Sequence, residues 1–179
     1  EPVAIIGTGL TAVDTIISLL GVGFKGKIHC ISRHGKFPKA HGAPNHARPA
    51  LPAFPENPRL SQALHYLRAI SKQGWHEALD ALRADTPALW RRFSPRDQAR
   101  ALSRYFTWWN IHRHRMAPEI AARLEAAMAS GQVEVRRGRK ETVTSALTFD
   151  CAGPRYLGLP SYVEPLLAGG QVRKHESGV

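Results

Sequence analysis

The fold is decided by one stretch near the start of the printed sequence, Val3-Ala4-Ile5-Ile6-Gly7-Thr8-Gly9-Leu10-Thr11-Ala12. Its first four residues are a short apolar run ended by glycine, which predicts a buried strand. The next six match G-x-G-x-x-A, a glycine turn that joins strand to helix in dinucleotide-binding folds. Apolar residues then recur at helical spacing up to Gly21, so a helix is predicted directly after the turn.

A second strand is predicted at Lys27-Ile28-His29-Cys30-Ile31-Ser32, which completes the opening βαβ unit of a Rossmann-like parallel sheet in an α/β protein. In such a unit Gly7 permits the tight turn and Gly9 lets the backbone approach a pyrophosphate. Ala12 keeps helix and strand close, and the first N–H groups of the helix attract the anion. The predicted pyrophosphate-binding residues are Gly7, Thr8, Gly9, Leu10, Thr11 and Ala12. The alternative is a glycine turn in an α/β domain whose site is empty.

Ser32-Arg33-His34 ends the second strand, where NAD- and FAD-binding units carry an Asp or Glu for the ribose hydroxyls. A carboxylate repels a 2′-phosphate, whereas a guanidinium and a hydroxyl bind one. The sequence therefore predicts NADP(H) as the cofactor, with Arg33 and Ser32 as ligands of its 2′-phosphate. The alternative for Arg33 is a solvent-facing arginine at a strand end.

The region from Phe37 to Pro58 contains six prolines, which predicts a structured loop or lid rather than a helix. It leaves the second strand near the expected ribose, so Lys39 or Arg48 is a candidate phosphate contact. A surface crossing with incidental charges is an equally weighted alternative. His41 and His46 have no cysteine or carboxylate at ligand spacing, and no metal site is predicted.

A long helical region, 59–116, interrupts the alternation of strands and helices and is interpreted as an insertion. Periodic leucines predict a first helix ending near Gly74 and a second over Trp75–Phe93, interrupted at Thr86-Pro87. Ser94-Pro95 is typical of the start of a third helix. This third helix carries a stripe at helical spacing that we interpret as core: Leu102, Tyr105, Phe106, Trp109 and His112.

The third helix ends in His112-Arg113-His114-Arg115, which is predicted to form a dense cationic patch. One interpretation is a turn that contacts phosphate or substrate. The other, of equal weight, is a helix C-terminus where the dipole favours cations. His112 and His114 point apart on a helix and so do not share a metal.

The α/β alternation returns after residue 116. Ala117-Pro118-Glu119 opens a helix through Ala129, and QVEVRRG (132–138) predicts a strand with Val133 and Val135 inward. ETVTSALTFDCAGP (141–154) predicts a further strand pair. The predicted units are 1–58, the first βαβ and proline-rich loop; 59–116, the helical insertion; and 117–155, the completion of the NAD(P)-binding domain.

Charge and composition bound the partners. A net charge of +11 indicates an anionic partner such as nucleic acid, NADPH, FAD or an acidic domain. The basic residues are spread along helices and no nucleic-acid-binding motif is present, so nucleic acid is the weakest candidate. No stretch approaches the roughly 20 apolar residues of a membrane span. Cys30 and Cys151 are predicted as small core residues rather than a disulfide, and a cytoplasmic protein is predicted.

Four stretches together resemble the bacterial FAD/NAD(P)-binding proteins and, more distantly, flavin-containing monooxygenases and ornithine or lysine N-hydroxylases. They are VAIIGTGLTAVD (3–14), CISRHGKFPKAH (30–41), IHRHRMAPEIAARL (111–124) and CAGP (151–154). The resemblance covers roughly Pro2 to Val172. Such flavoproteins have an FAD domain, with its own glycine motif, that precedes the NAD(P) domain and is resumed after it. The resemblance implies that 156–179 is a return segment toward an FAD domain, and that the FAD site is absent from this chain or lies in residues not included in it.

The function implied by the resemblance is hydride transfer from NADPH to FAD, with hydroxylation by a monooxygenase as one outcome. No residue is identified as a catalytic acid, base or nucleophile. A second hypothesis is a non-catalytic dinucleotide-sensing or scaffolding domain whose basic insertion binds a partner. Glu1 and Pro2 leave almost nothing before the first core strand, so an excised domain or the middle of a larger protein is expected.

Overall fold

Four parallel strands form the centre of the protein. A computed structural model describes residues 1–42, 54–138, 145, 147–153 and 160–173. The strands are β1 (Val3–Ile6), β2 (Ile28–Ser32), β3 (Val133–Arg137) and β4 (Leu147–Asp150). They form one sheet in the order β3-β2-β1-β4, and every pair is parallel. This arrangement confirms the predicted α/β class with a Rossmann-like parallel sheet.

Seven α-helices are present in the described residues, together with a 3₁₀-helix at Ser71–Gln73. The helices are α1 (Leu10–Gly21), α2 (Leu60–Ile70), α3 (Trp75–Leu82), α4 (Thr86–Arg92), α5 (Pro95–Arg113), α6 (Pro118–Ala129) and α7 (Val163–Ala168). Helices α2 to α5 separate β2 from α6, which confirms a helical insertion within the α/β unit. No described helix is long and apolar enough to cross a membrane.

The βαβ unit forms where the sequence predicts it. β1 is buried along its whole length, and Val3 lies opposite Ile28 of β2 and Leu147 of β4. β2 begins at Ile28, one residue later than predicted, because its pairing with β1 and with β3 begins there. The common core joins the strands to α1 and α6 through buried side chains: Val3, Ile5, Ala12, Val13, Ile16, Ile28, Cys30, Ala121, Leu124, Ala127 and Val133.

The insertion has a small core of its own. Its buried residues come from α2 and α3: Leu67, Ile70, Ala78, Leu79 and Leu82. Residues 83–85 divide the predicted second helix into α3 and α4. The predicted interruption at Thr86-Pro87 is thus the start of α4, with Pro87 in its first turn. Ser94 caps α5 as predicted, since its Oγ accepts a hydrogen bond of 3.1 Å from the Asp97 N–H.

One prediction about α5 holds only in part and another is wrong. Of the stripe interpreted as core, His112 is buried and Trp109 packs against the core of the insertion, whereas Phe106 remains 50% exposed. The predicted cationic patch also does not form. His112 is buried and its ring packs edge-on against Trp75 with centroids 4.8 Å apart. The side chain of Arg115 is 7% exposed and forms an ion pair with Asp80 of α3. Of the four residues of the predicted patch, only the middle two, Arg113 and His114, remain accessible to solvent.

Some predicted features fall outside the described residues. His46 and Arg48 of the proline-rich region do, as does Pro154. The described part of that region is tied to the end of α5, because the Lys39 N–H donates to the Ile111 carbonyl at 2.7 Å. Of the strand pair predicted in 141–154, β4 is described and residues 141–144 and 146 are not.

Candidate dinucleotide-binding site

The carboxyl ends of all four strands open into one cleft of about 520 Å³. Parallel strands end at the same edge of a sheet, and ligands of open α/β sheets bind at that edge. The cleft is lined by residues that follow the strands and by one residue of α5: Ile6, Gly7, Thr8, Ile31, Ser32, Arg33, His34, Lys36, Thr107, Gly138 and Ala152. The glycine turn and the end of β2, which the sequence predicted as one site, therefore border one cavity.

Gly7 is required by the packing of the chain itself. Its φ is +107°, a region that residues with a Cβ rarely adopt. A Cβ at this position would lie 2.5 Å from the Cys151 carbonyl oxygen at the end of β4. The Gly7 N–H also donates to the Ile31 carbonyl of β2 at 2.8 Å. The tight turn predicted at Gly7 is confirmed, and its first role is the close approach of three strand ends.

Gly9 has no such structural requirement. Its φ is −77°, which any residue adopts, and a Cβ built on it would have no heavy atom within 4 Å. The open space lies at the start of α1, where the first helical hydrogen bond runs from the Val13 N–H to the Gly9 carbonyl at 3.1 Å. The N–H groups that precede this bond have no acceptor within the helix. They leave a positive helix end beside an open approach, an arrangement suited to a pyrophosphate.

The other predicted residues of the turn divide into buried and exposed positions. Thr8 is buried and lines the cleft, whereas Leu10 and Thr11 are exposed in the first turn of α1 and do not line it. Ala12 is fully buried in the core that joins α1 to β1. Its position agrees with the predicted role of keeping helix and strand close. The first turn of α1 has no acidic residue, so no carboxylate there neutralises the positive end of the helix dipole.

Ser32 is held by a chain of hydrogen bonds at the rim of the cleft. Its Oγ lies 2.9 Å from the Thr8 Oγ1 and accepts a hydrogen bond of 3.0 Å from the Gly35 N–H. These bonds fix the glycine turn against the end of β2. Ser32 thus has a positioning role that the sequence did not reveal, since Thr8 and Ser32 are 24 residues apart.

Three cationic or titratable side chains surround the β2 end of the cleft. Arg33, His34 and Lys36 are all exposed and line it. Lys39, the other predicted phosphate contact, does not line the cleft. Its backbone pairs with the end of α5 instead, and its charge contributes to lowering the pKa of His112, which burial lowers most. Lys36 therefore lies at the β2 end of the cleft, where the sequence suggested Lys39 as a phosphate contact.

Beyond the first βαβ unit, the sequence reasoning missed three lining residues. Gly138 follows β3 directly and Ala152 lies two residues past the end of β4, so the parallel topology was a signal that could have found both. Thr107 comes from α5 of the insertion and carries no such signal, because it stands among aromatic residues on a helix predicted as core. The insertion thus contributes a wall of the cleft.

A second glycine pattern tests how specific the motif is. Gly21-Val22-Gly23-Phe24-Lys25-Gly26 also matches G-x-G-x-x-G, yet it follows a helix and precedes a strand. A Cβ on Gly26 would lie 2.6 Å from the Glu1 carbonyl oxygen, so close packing explains this glycine. The stretch presents no helix N-terminus, and it offers no cradle for FAD.

The two cysteines are free thiols, as predicted. Burial, with a smaller effect of Cys151, raises the pKa of Cys30 to about 12. Cys30 is consequently a neutral core residue rather than a nucleophile. Cys151 packs against the same core, and its Sγ lies 3.5 Å from the Thr15 Oγ1.

Comparisons of this chain with protein-family models, with curated proteins and with solved structures find no match. The resemblance to FAD/NAD(P)-binding proteins therefore stays a prediction made from the residues.

Proposed function

We propose that this chain binds NADP(H) in the cleft at the carboxyl edge of the sheet. The observation that carries the proposal is the convergence of Arg33, His34 and Lys36 on the end of β2, in the same cleft as the glycine turn. In Rossmann-like units the adenosine ribose lies at that strand end. A 2′-phosphate there would meet three donors, and no carboxylate stands among the described lining residues.

The residues present fit the two charged parts of the cofactor. The open approach at Gly9 and the unpaired first N–H groups of α1 suit the pyrophosphate. Arg33 suits the 2′-phosphate, because its fork of donors matches a phosphate better than a single ammonium does. When bound, NADPH supplies the hydride; the chain orients it through these contacts and through the fixed Thr8–Ser32 pair.

The acceptor of the hydride is FAD in this proposal, as the family resemblance implies. No described residues form a second strand–glycine turn–helix unit, and Gly21–Gly26 does not fit a flavin. The FAD is therefore assigned to residues outside those described. Hydroxylation of a substrate extends the proposal: with molecular oxygen as the oxidant, one oxygen atom would enter the substrate and the other would leave as water. A cytoplasmic location, which agrees with the two free thiols, belongs to the same proposal.

The first test is calorimetric titration of the protein with NADPH and with NADH. We expect saturable binding of NADPH and binding of NADH at least about tenfold weaker, since one charge-assisted contact is worth more than about 1.4 kcal/mol. Equal affinities would contradict a 2′-phosphate site. Failure of both to bind would contradict the dinucleotide site itself.

The second test separates an oxidoreductase from a dinucleotide sensor. A sensing or scaffolding domain is favoured by one observation, that the basic insertion supplies Thr107 to the cleft and could report its occupancy. Anaerobic mixing of NADPH with the full-length protein that carries the FAD domain, with FAD supplied, should bleach the flavin absorbance. NADPH binding without bleaching would favour the sensor.

A further inference from the structure

The insertion contains a second cavity, partly open to solvent and away from the glycine turn. Its volume is about 320 Å³, at the lower limit of small-molecule sites. Its walls come from α2, α4 and α5 with the end of α3, and nearly all of them are apolar or aromatic, among them Leu64, Leu89, Trp90, Tyr105 and Trp109. The Thr86 hydroxyl donates its hydrogen bond to the Leu82 carbonyl at 2.7 Å and so does not donate to a ligand.

Arginines border this apolar cavity on two sides. A cleft of about 840 Å³ holds Arg96, Arg100 and Arg104 and shares Leu102 and Phe106 with the cavity. The three arginines stand four residues apart on α5, so they follow one face of the helix. A further cleft of about 800 Å³ shares Phe93 with the cavity and contains Arg96 and Arg100 again. The apolar lining thus continues directly into a basic surface.

These arginines are not used by the fold. Arg96, Arg100 and Arg104 are exposed, and none forms an ion pair with a carboxylate of the described residues. Asp97 stands beside them, but its Oδ2 accepts a hydrogen bond of 3.2 Å from the Leu60 N–H and so caps α2. Arg92 differs, because its Nε donates to the Glu56 carbonyl at 2.9 Å. Within the described part of the chain, three guanidinium groups without a carboxylate partner therefore line the approach to an apolar cavity.

We propose that this site binds a small organic anion with an apolar body, such as a medium-chain or aromatic carboxylate. The body would occupy the 320 Å³ cavity, and the carboxylate would meet Arg100 and Arg104, whose planar forks suit it. A neutral apolar ligand would leave the arginines unused.

The apolar cavity is separate from the NADP(H) cleft, although α5 borders both. Thr107 lines the dinucleotide cleft, whereas Tyr105 and Trp109 line the cavity. The arginine cleft does adjoin the dinucleotide cleft, because Arg33 lines both, and Arg33 is left unchanged in the test. NADPH affinity is therefore measured alongside decanoate affinity, and a parallel loss of both in the Arg100 and Arg104 variant would assign these arginines to the NADP(H) site and overturn the proposal.

The test titrates the protein with decanoate, decanol and acetate by calorimetry and by tryptophan fluorescence. Three of the four tryptophans line the cavity, so occupancy should change the emission. We expect decanoate to bind saturably at one site, decanol at least about tenfold more weakly, and acetate not measurably. Equal binding of decanoate and decanol would overturn the role of the arginines.

Two pairs of variants test the two halves of the site. Arg100→Gln with Arg104→Gln should weaken decanoate at least about tenfold and leave NADPH affinity unchanged. The control, Arg68→Gln with Arg123→Gln, removes the same charge from exposed positions on α2 and α6 and should change neither. An equal loss of decanoate affinity in both double variants would show that only the net charge of the protein matters, and it would overturn the proposal.

Filling the cavity should abolish decanoate binding. Ala101→Phe and Ala63→Phe place a ring in it from opposite walls, α5 and α2, and either variant that melts cooperatively is informative. Ala122→Phe, on the exposed side of α6, is the control and should bind normally. Unchanged binding in a folded cavity variant would overturn the site. So would binding of an acidic peptide in place of decanoate, which would assign the surface to a protein partner.

Discussion

Gly7 and Gly9 lie in one turn, but different physical constraints act on them. Gly7 is fixed by positive φ and by the Cys151 carbonyl 2.5 Å from its missing Cβ, whereas Gly9 faces open space. The sequence motif already distinguishes the tight turn at Gly7 from the pyrophosphate approach at Gly9. It does not predict the close packing on Gly7, because the end of β4 lies far away in the chain and no local pattern indicates its approach.

Gly9→Val should remove dinucleotide binding while the protein stays folded. A side chain at the start of α1 would occupy the approach to the first N–H groups, and the cost of a changed N-cap is about 1 kcal/mol. Gly7→Ala is the contrasting variant and should lower the free energy of unfolding by about 2 kcal/mol or more. Urea unfolding and NADPH titration of both variants give the comparison. Normal NADPH affinity in Gly9→Val would contradict the pyrophosphate assignment.

Arg33→Ala should weaken NADPH by about 30-fold and NADH by less than about twofold, because only NADPH carries the phosphate. Calorimetric dissociation constants of both coenzymes measure the difference. Arg68→Ala removes an exposed arginine of α2 and serves as the control. A parallel loss for the two coenzymes in Arg33→Ala would remove the 2′-phosphate role.

His112 should make folding sensitive to acid. Burial lowers its pKa below the ordinary 6.5, and the charges of Lys39, Lys36 and His76 lower it further, against the opposing hydrogen bond to Trp108. Above that ordinary pKa the imidazole is neutral in both states and its stabilising contribution is complete. As the pH falls through 6.5 toward the folded pKa, the unfolded chain binds a proton that the folded chain resists, and stability is lost.

His112→Gln should reduce this acid sensitivity. The free energy of unfolding, measured by urea at about pH 7.5 and about pH 5.5, should fall more for the original protein than for the variant. The carboxylates titrate in both proteins and cancel in the comparison. Identical losses would show that His112 is not the titrating group.

At the level of elements, the arginine and histidine run at the end of α5 illustrates what local sequence conceals. Its cations are separated by packing: Arg115 turns toward Asp80 of α3, and its Cζ lies 5.9 Å from the centre of the Trp75 ring. His112 turns into the same neighbourhood, 4.8 Å from that ring. The helix itself and its Ser94 cap were predictable, because both depend on local residues. The side-chain directions depend on α3, and the sequence does not place α3.

Asp80→Asn should destabilise the insertion. It removes the negative charge that faces the Arg115 guanidinium, whose side chain is 7% exposed, and the loss of a partly buried ion pair costs on the order of 1 kcal/mol. Thermal unfolding should therefore begin at a lower temperature than in the original protein. Asp85→Asn, an exposed carboxylate at the start of α4, provides the control. An unchanged melting temperature in Asp80→Asn would contradict a stabilising role for the pair.

For the whole molecule, the sheet was the most predictable part. The apolar runs of β1 and β2 and the glycine turn specify the βαβ unit and the parallel pairing of its two strands. The candidate site followed from the same logic at Gly7, Thr8, Ser32 and Arg33. Thr107 and the apolar cavity were not predictable, because both depend on how four helices of the insertion pack.

The central claim is that the β2 end of the cleft holds the 2′-phosphate while the start of α1 holds the pyrophosphate. The most direct measurement is a ³¹P NMR pH titration of bound NADP⁺, in which these phosphates give separate signals. We predict that the cations around Arg33 lower the pKa of the bound 2′-phosphate below its free value of about 6, and that the pyrophosphate signal shifts. A 2′-phosphate that titrates as in free NADP⁺ would contradict the account.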